Sequence, residues 1–250
     1  MDVKGAPGTL SRNHLVRAYE VGPLGTAGPA LLANMMQETA GHHATALGLS
    51  VERLTRDNIT WVLSRMRILL NRFPESGEEI TVVTWPSGID RHTATRDFIL
   101  YDASGEEVAR ATSAWVIFNL LERKMAPMPE FIGAAYPPEF PERALTFESR
   151  MLPKLRESEQ SVTVVSRLSD LDINAHVNNV HFIEWVMETS CALGFEGHPV
   201  ELDIQFRAEC GAHQLLESKA VFIPESNGKK VIHSLDLQGQ EIARAVTRWL

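Results

Sequence analysis

The chain has 250 residues, 44% hydrophobic and 22% charged, with a formal net charge of -8, which is the balance of a folded protein able to bury one large core or two smaller ones. The acidic excess argues against a nucleic-acid binder, and no apolar run approaches the ~20 residues of a membrane span. Two cysteines, Cys191 and Cys210, supply neither a disulfide framework nor a cysteine-based zinc site. The N-terminal MDVKGAPGTLSRNH lacks the apolar core of a secretory signal and is too short for a transit peptide, so a cytoplasmic protein without metal or organic cofactor is expected.

In chain order, a short extended segment after Val16 leads into a predicted helix from about Pro29 to Leu47, with Leu31, Leu32, Met35, Met36, Ala40 and Leu47 as its apolar side. Strands are predicted at 61–70, 79–86, 95–101 and 107–118, with Asp102 to Gly105 as a hairpin turn. Residues 119–160 hold 6 of the 13 prolines. That density opposes regular helix or sheet and predicts a connector crossing the surface.

After the connector the layout returns. A second extended segment, DLDINAHVNN (Asp170 to Asn179), precedes a helix capped near Asn178 or Asn179 and ended by Gly194. Its residues Val180, Phe182, Ile183, Val186, Met187, Cys191 and Leu193 run nearly all the way round, which predicts a buried helix with Cys191 in the core. Strands follow near 200–207, 214–223, 230–237 and 241–249, with Ser226 to Gly228 as a turn.

The two halves also match in letters. EEVARATSAWV (Glu106 to Val116) returns as QEIARAVTRWL (Gln240 to Leu250), and Glu75-Ser76-Gly77 as Glu209-Cys210-Gly211, both 134 residues on. At an offset of 150, Val16 to Ala40 lies on Ser166 to Ser190. A long helix followed by a meander of strands is satisfied when the sheet curls around the helix. That is a hot-dog unit, and the repeat predicts an α+β double hot-dog: residues 1–118, a linker at 119–160, and residues 161–250. The internal pseudo-dimer removes the usual need for a second copy, though a homodimer stays open.

The copies differ at one place. Asp172, Asn174 and His176 lie opposite Gly22, Leu24 and Thr26, so the polar set occurs once. A half-buried strand alternates in this way, and the expectation is that its polar face looks into a site that only the second copy has.

LDINAHVNNVHFIEWVMETS followed by FRAECG, together with YEVG, MQETA, RMRILLNRFPESGEEITVVTWPSG and ARATSAWVIFN in the first copy, resembles the acyl-acyl carrier protein thioesterases of plant plastids and bacteria. The resemblance runs from about His14 to Leu250. It implies a double hot-dog fold and hydrolysis of the thioester joining a fatty acyl chain to the carrier protein, which terminates chain elongation. It carries catalytic roles onto Asp172, Asn174, His176 and Glu209, with Cys210 as an alternative nucleophile, and implies an acyl pocket largely in the first unit. The short leader suggests a bacterial member.

The residues themselves suit that chemistry. A thiolate leaves readily, so an acid/base and oxyanion donors suffice. Glu209 or Asp172 supplies a base, Asn174 orients water or the carbonyl, and His176 donates or relays a proton. Amides of residues 177–179, at the start of the second helix, are candidate oxyanion donors. Cys210 as nucleophile with His176 and Asn174 in support is the competing mechanism. Glu209 and Cys210, adjacent on an expected strand, should point to opposite faces. Arg65 and Arg67 read as solvated strand charges, and His42 and His43 as partners of carbonyls at the first helix's end. Pocket depth is expected to depend on residues such as Met35, Met36, Leu63 and Met66. A hot-dog acyl-CoA thioesterase, a hydratase or dehydratase, and a non-catalytic acyl-binding regulator are the alternatives, since the fold alone does not separate them.

Overall fold

The computed structural model describes residues 3–226 and 228–250; Asn227, in the middle of the expected Ser226 to Gly228 turn, lies outside the described residues. The first half runs β1 (Leu10–Leu15), α1 (Pro29–Ala46), α2 (Val51–Thr55), β2 (Ile59–Leu70), β3 (Glu79–Ile89), β4 (Ala94–Tyr101) and β5 (Glu107–Asn119). After β6 (Lys124–Ala126) and α3 (Glu130–Ala135) come β7 (Gln160–Val165), α4 (Asn179–Ala192), β8 (Glu201–Phe206), β9 (Leu215–Glu225), β10 (Gly228–Leu237) and β11 (Gln240–Trp249). The second half thus repeats the order strand, helix, four strands.

All described strands join one sheet in the order β1-β3-β4-β5-β2-β8-β11-β10-β9-β7, with β6 added beside β5. The two halves meet where β2 pairs antiparallel with β8, Met66 opposite Ile204 and Ile68 opposite Leu202. Both long helices pack on one face of this sheet and on each other. One continuous core results, with Leu32, Met36, Met66 and Phe98 from the first half and Phe182, Ile183, Leu202 and Leu235 from the second.

Local chemistry sets the helix ends. Pro29 opens α1, where its missing N–H costs no bond. The Asn178 side chain caps α4 by accepting from Val180 N at 3.2 Å, and Gly194 follows its end with φ 84°. Helix α4 is less enclosed than its composition suggests. Glu184, Glu188 and Cys191 share an exposed side, so Cys191 is an exposed thiol rather than a core residue.

The opposite face of the sheet explains a second departure. Arg65 and Arg67 are 5% and 6% exposed, because the linker lies over them. Arg65 donates from Nε and Nη2 to the two carboxylate oxygens of Asp203 at 2.8 and 2.7 Å, and stacks over Phe147 at 4.4 Å. Arg67 donates to Glu201 at 2.8 Å and to Glu148 at 2.6 Å. Strand position put these arginines on an outward face, but the covering segment removed the water and two β8 carboxylates replaced it. The linker is not wholly irregular either, since β6 pairs with β5 and α3 buries Ile132 against Leu54, Ile59 and Ile117. Its prolines sit mainly outside these two short elements.

Asp203 is only 4% exposed, and burial raises its carboxyl pKa against the opposing pull of Arg65. Removing one partner of such a pair strands the other's charge. Asp203→Ala is therefore expected to cost about 3–5 kcal/mol of stability, read as a lowered midpoint of urea unfolding; a change below about 1 kcal/mol would mark the pair as a surface-like contact.

Candidate active site

The stretch from Asp170 to Asn179 is not a strand. Leu171 bridges Val177, Asp172 N donates to His176 O at 2.8 Å and Ala175 N to Asp172 O at 3.0 Å, so the chain doubles back on itself. Ala175 takes the left-handed conformation at φ 61°, a conformation that costs a non-glycine residue about 1–2 kcal/mol. Alternating Asp and Asn favour side-chain-closed turns over strands, and the turn won. Ile173, an inward residue in the alternating reading, is 96% exposed at the loop tip.

The carboxylate of Asp172 holds this loop. It accepts from Asn174 N at 2.8 Å, from Asn174 Nδ2 at 3.3 Å and from His176 N at 3.4 Å. His176 turns its Nε2 toward Glu209, 3.1 Å from Oε2, and both side chains are about half exposed. The loop therefore brings all four expected residues together, but as two linked pairs: Asp172 with Asn174, and His176 with Glu209. Glu209 meets the histidine rather than the other carboxylate.

Glu209 and Cys210 lie in the loop between β8 and β9, not on a strand. Their side chains nevertheless diverge: Glu209 is exposed and Cys210 is 2% exposed. The Cys210 thiol packs into the main core, lies 3.3 Å from Gln214 Oε1, and is pushed up in pKa by burial. A raised pKa and an occluded sulfur describe an inert thiol. Two of the three expected oxyanion amides are in use, since Val177 N donates to Cys210 O at 2.8 Å and Asn178 N to Asp170 O at 2.9 Å.

Asp172, Ile173, Asn174 and Asn178 form one wall of a cleft of about 680 Å³. The other walls come from the first half: Arg12, His14 and Arg17 on and after β1, and Asn34, Gln37 and Glu38 on α1. His176 and Glu209 stand beside this wall, not in it. A second cavity of about 490 Å³ lies in the first half, with Tyr136 of the linker in its lining, and is walled by Ala40, Ala44, Leu49, Trp61, Ala94 and Trp115 among others. Gln37 and Glu38 line both cavities.

Three expectations about the first half change. Met36 and Met66 belong to the core, Met35 lines the cleft, and neither they nor Leu63 line the apolar cavity. His43 serves a buried arginine instead of carbonyls at the helix end: its Nδ1 is 3.0 Å from Arg96 Nη1. His42 is 3.8 Å from Glu38. The polar stripe Asn34, Gln37, Glu38 and His42 is marked in the sequence by its helical spacing, beside the apolar residues that the periodicity of α1 emphasises.

Residues 8–136 match the acyl-ACP thioesterase N-terminal domain and residues 154–250 the C-terminal domain of the same family. A palmitoyl-acyl carrier protein thioesterase, chloroplastic, of Gossypium hirsutum is 33% identical over 262 residues, covering 96% of this chain and 63% of the relative. A dodecanoyl-[acyl-carrier-protein] hydrolase, chloroplastic, of Cinnamomum camphora is 27% identical, covering 95% of this chain and 66% of the relative. The chain thus spans a little over three-fifths of the length of these plant proteins. Among solved structures, the 12:0-ACP thioesterase from Umbellularia californica superposes with a TM-score of 0.84 at 27% identity, covering 97% of this chain and 94% of that one. An acyl-ACP thioesterase from Bacteroides thetaiotaomicron shares the fold with a TM-score of 0.81 at 24% identity, covering 99% of each chain. With both domains matched in order along a double hot-dog sheet, the chain belongs to the acyl-ACP thioesterase family.

Proposed function

We propose that the protein hydrolyses the thioester of a fatty acyl-acyl carrier protein, releasing the free acid and the carrier thiol and so ending chain elongation. The observation that supports this most is that Gln37 and Glu38 line two cavities of different character. The loop of Asp172 and Asn174 walls a polar cleft, and this cleft shares the lining residues Gln37 and Glu38 with a largely apolar pocket. An acyl tail suits the pocket, and the carrier's pantetheine arm suits the cleft.

In this reading water attacks the carbonyl carbon. Asn174, held by Asp172, orients the water, and the His176–Glu209 pair takes its proton and returns it to the departing sulfur. Asp172 is the group that fixes the loop, because its oxygens already receive three hydrogen bonds. The buried thiol of Cys210 is left out of the chemistry. Residues 1–118 form the tail-holding unit and 161–250 the unit that handles protons, joined by the linker at 119–160. A cytoplasmic setting and a bacterial source stay within the proposal, although the plant relatives named above are described as chloroplastic. Among the described residues no helix is long and apolar enough to cross a membrane.

Thiol release measured over a series of acyl-carrier proteins and acyl-CoAs tests the proposal. Turnover of acyl-carrier proteins well ahead of the CoA esters with the same chain is expected. Preference for CoA esters would make it an acyl-CoA thioesterase, and tight acyl binding without thiol release would make it a binding protein.

A further inference from the structure

The proposed reaction still needs a donor for the oxyanion. Negative charge grows on the thioester oxygen as water adds, and N–H groups aimed at that point supply much of the rate. The amides of Val177 and Asn178 are spent on the carbonyls of Cys210, in the loop between β8 and β9, and of Asp170 in their own loop. The second half therefore offers fewer donors than its sequence suggests.

The first half offers one where it is needed. A thioester with its tail in the apolar pocket and its carrier arm in the cleft brings its carbonyl past the residues that line both. Those residues are Gln37 and Glu38. Glu38 presents only acceptors and is flanked by His14 at 3.7 Å and His42 at 3.8 Å. Gln37 presents two N–H donors, is half-buried, and its side chain has no hydrogen-bond partner among the described residues. Of the two, only the amide can stabilise an oxyanion.

We propose that Gln37 is a catalytic residue that donates its side-chain N–H to the thioester oxygen, so that the active site is assembled from both halves of the chain. This rests on the hydrolase reading given above. As the water oxygen bonds to the carbonyl carbon, the π electrons move onto the oxygen held by Gln37, and the water proton passes to the His176–Glu209 pair. On collapse the C=O bond re-forms, the C–S bond breaks with its electrons on sulfur, and the pair returns the proton to that thiolate.

Gln37→Leu and Gln37→Glu test the assignment. Each should lower kcat about 100- to 1,000-fold with KM altered no more than about threefold, as expected for an interaction made in the transition state. Gln37→Glu keeps the size of the side chain but presents a carboxylate, so it should fail as badly as Gln37→Leu. A kcat within about threefold of the parent, or a loss confined to KM, would overturn the proposal. A readout free of turnover uses an acyl-pantetheine analogue with CH₂ in place of sulfur and a ¹³C-labelled ketone. Its carbonyl stretch should lie lower in the parent protein than in Gln37→Leu, and equal frequencies would refute the hydrogen bond. If the parent releases no thiol from any acyl thioester, the hydrolase reading fails, while the ketone frequency still decides whether Gln37 holds the carbonyl.

Discussion

His176→Ala and Glu209→Gln should each lower kcat on acyl-carrier protein by about 100- to 10,000-fold, the range for loss of general acid–base assistance. The reason is their pairing: with 3.1 Å between Nε2 and the carboxylate, each side chain orients the other. The double variant should then be little worse than either single one, since residues acting as a unit lose their function together. Both side chains are about half exposed, so the pair contributes at most about 1 kcal/mol to folding. Activity should fall while the unfolding midpoint barely moves. Activity retained in Glu209→Gln would reduce the pair to a loop contact.

A second large effect concerns acid stability. His43 and His233 are both buried, and burial lowers their pKa from 6.5 to about 4 and about 3, helped at His43 by the charge of Arg96. The unfolded chain takes up protons near pH 6.5, while the folded chain refuses them until its lower values are reached. Stability is therefore fully present above pH 6.5 and is lost as pH falls toward 4. Each histidine accounts for about 3 kcal/mol over that window at 1.36 kcal/mol per unit. Together they approach the whole stability of an ordinary domain, about 5–15 kcal/mol. Urea unfolding at pH 7, 5.5 and 4 should show this slope. His233→Leu should remove close to one proton from it; an unchanged slope would mean that His233 is protonated inside the fold.

The repeated order of helix and strands was legible because it rests on local signals. Pro29, Asn178 and Gly194 mark helix ends by local chemistry alone, and alternation in β2 and β8 needs only the two-residue period of a strand. Tertiary covering was not legible. Arg65 and Arg67 occupy strand positions that read as solvated, and nothing local announces that residues 146–149 fold over them. At the candidate site the alternation pointed to a strand where the chain forms a turn, because alternation is shared by strands and by side-chain-closed turns. The contribution of Gln37 and Glu38 depends on α1 facing a loop more than 130 residues away in sequence, which no spacing within either half encodes.

Thiol release from acyl-carrier protein by Cys210→Ala, set beside the parent protein and a mass-spectrometric search for acyl-enzyme, tests direct water attack most simply. Turnover within about threefold of the parent, with no acyl group on the protein, is the predicted result, because a buried thiol of raised pKa is a poor nucleophile. Abolished turnover together with an acyl adduct on Cys210 of the parent would contradict it.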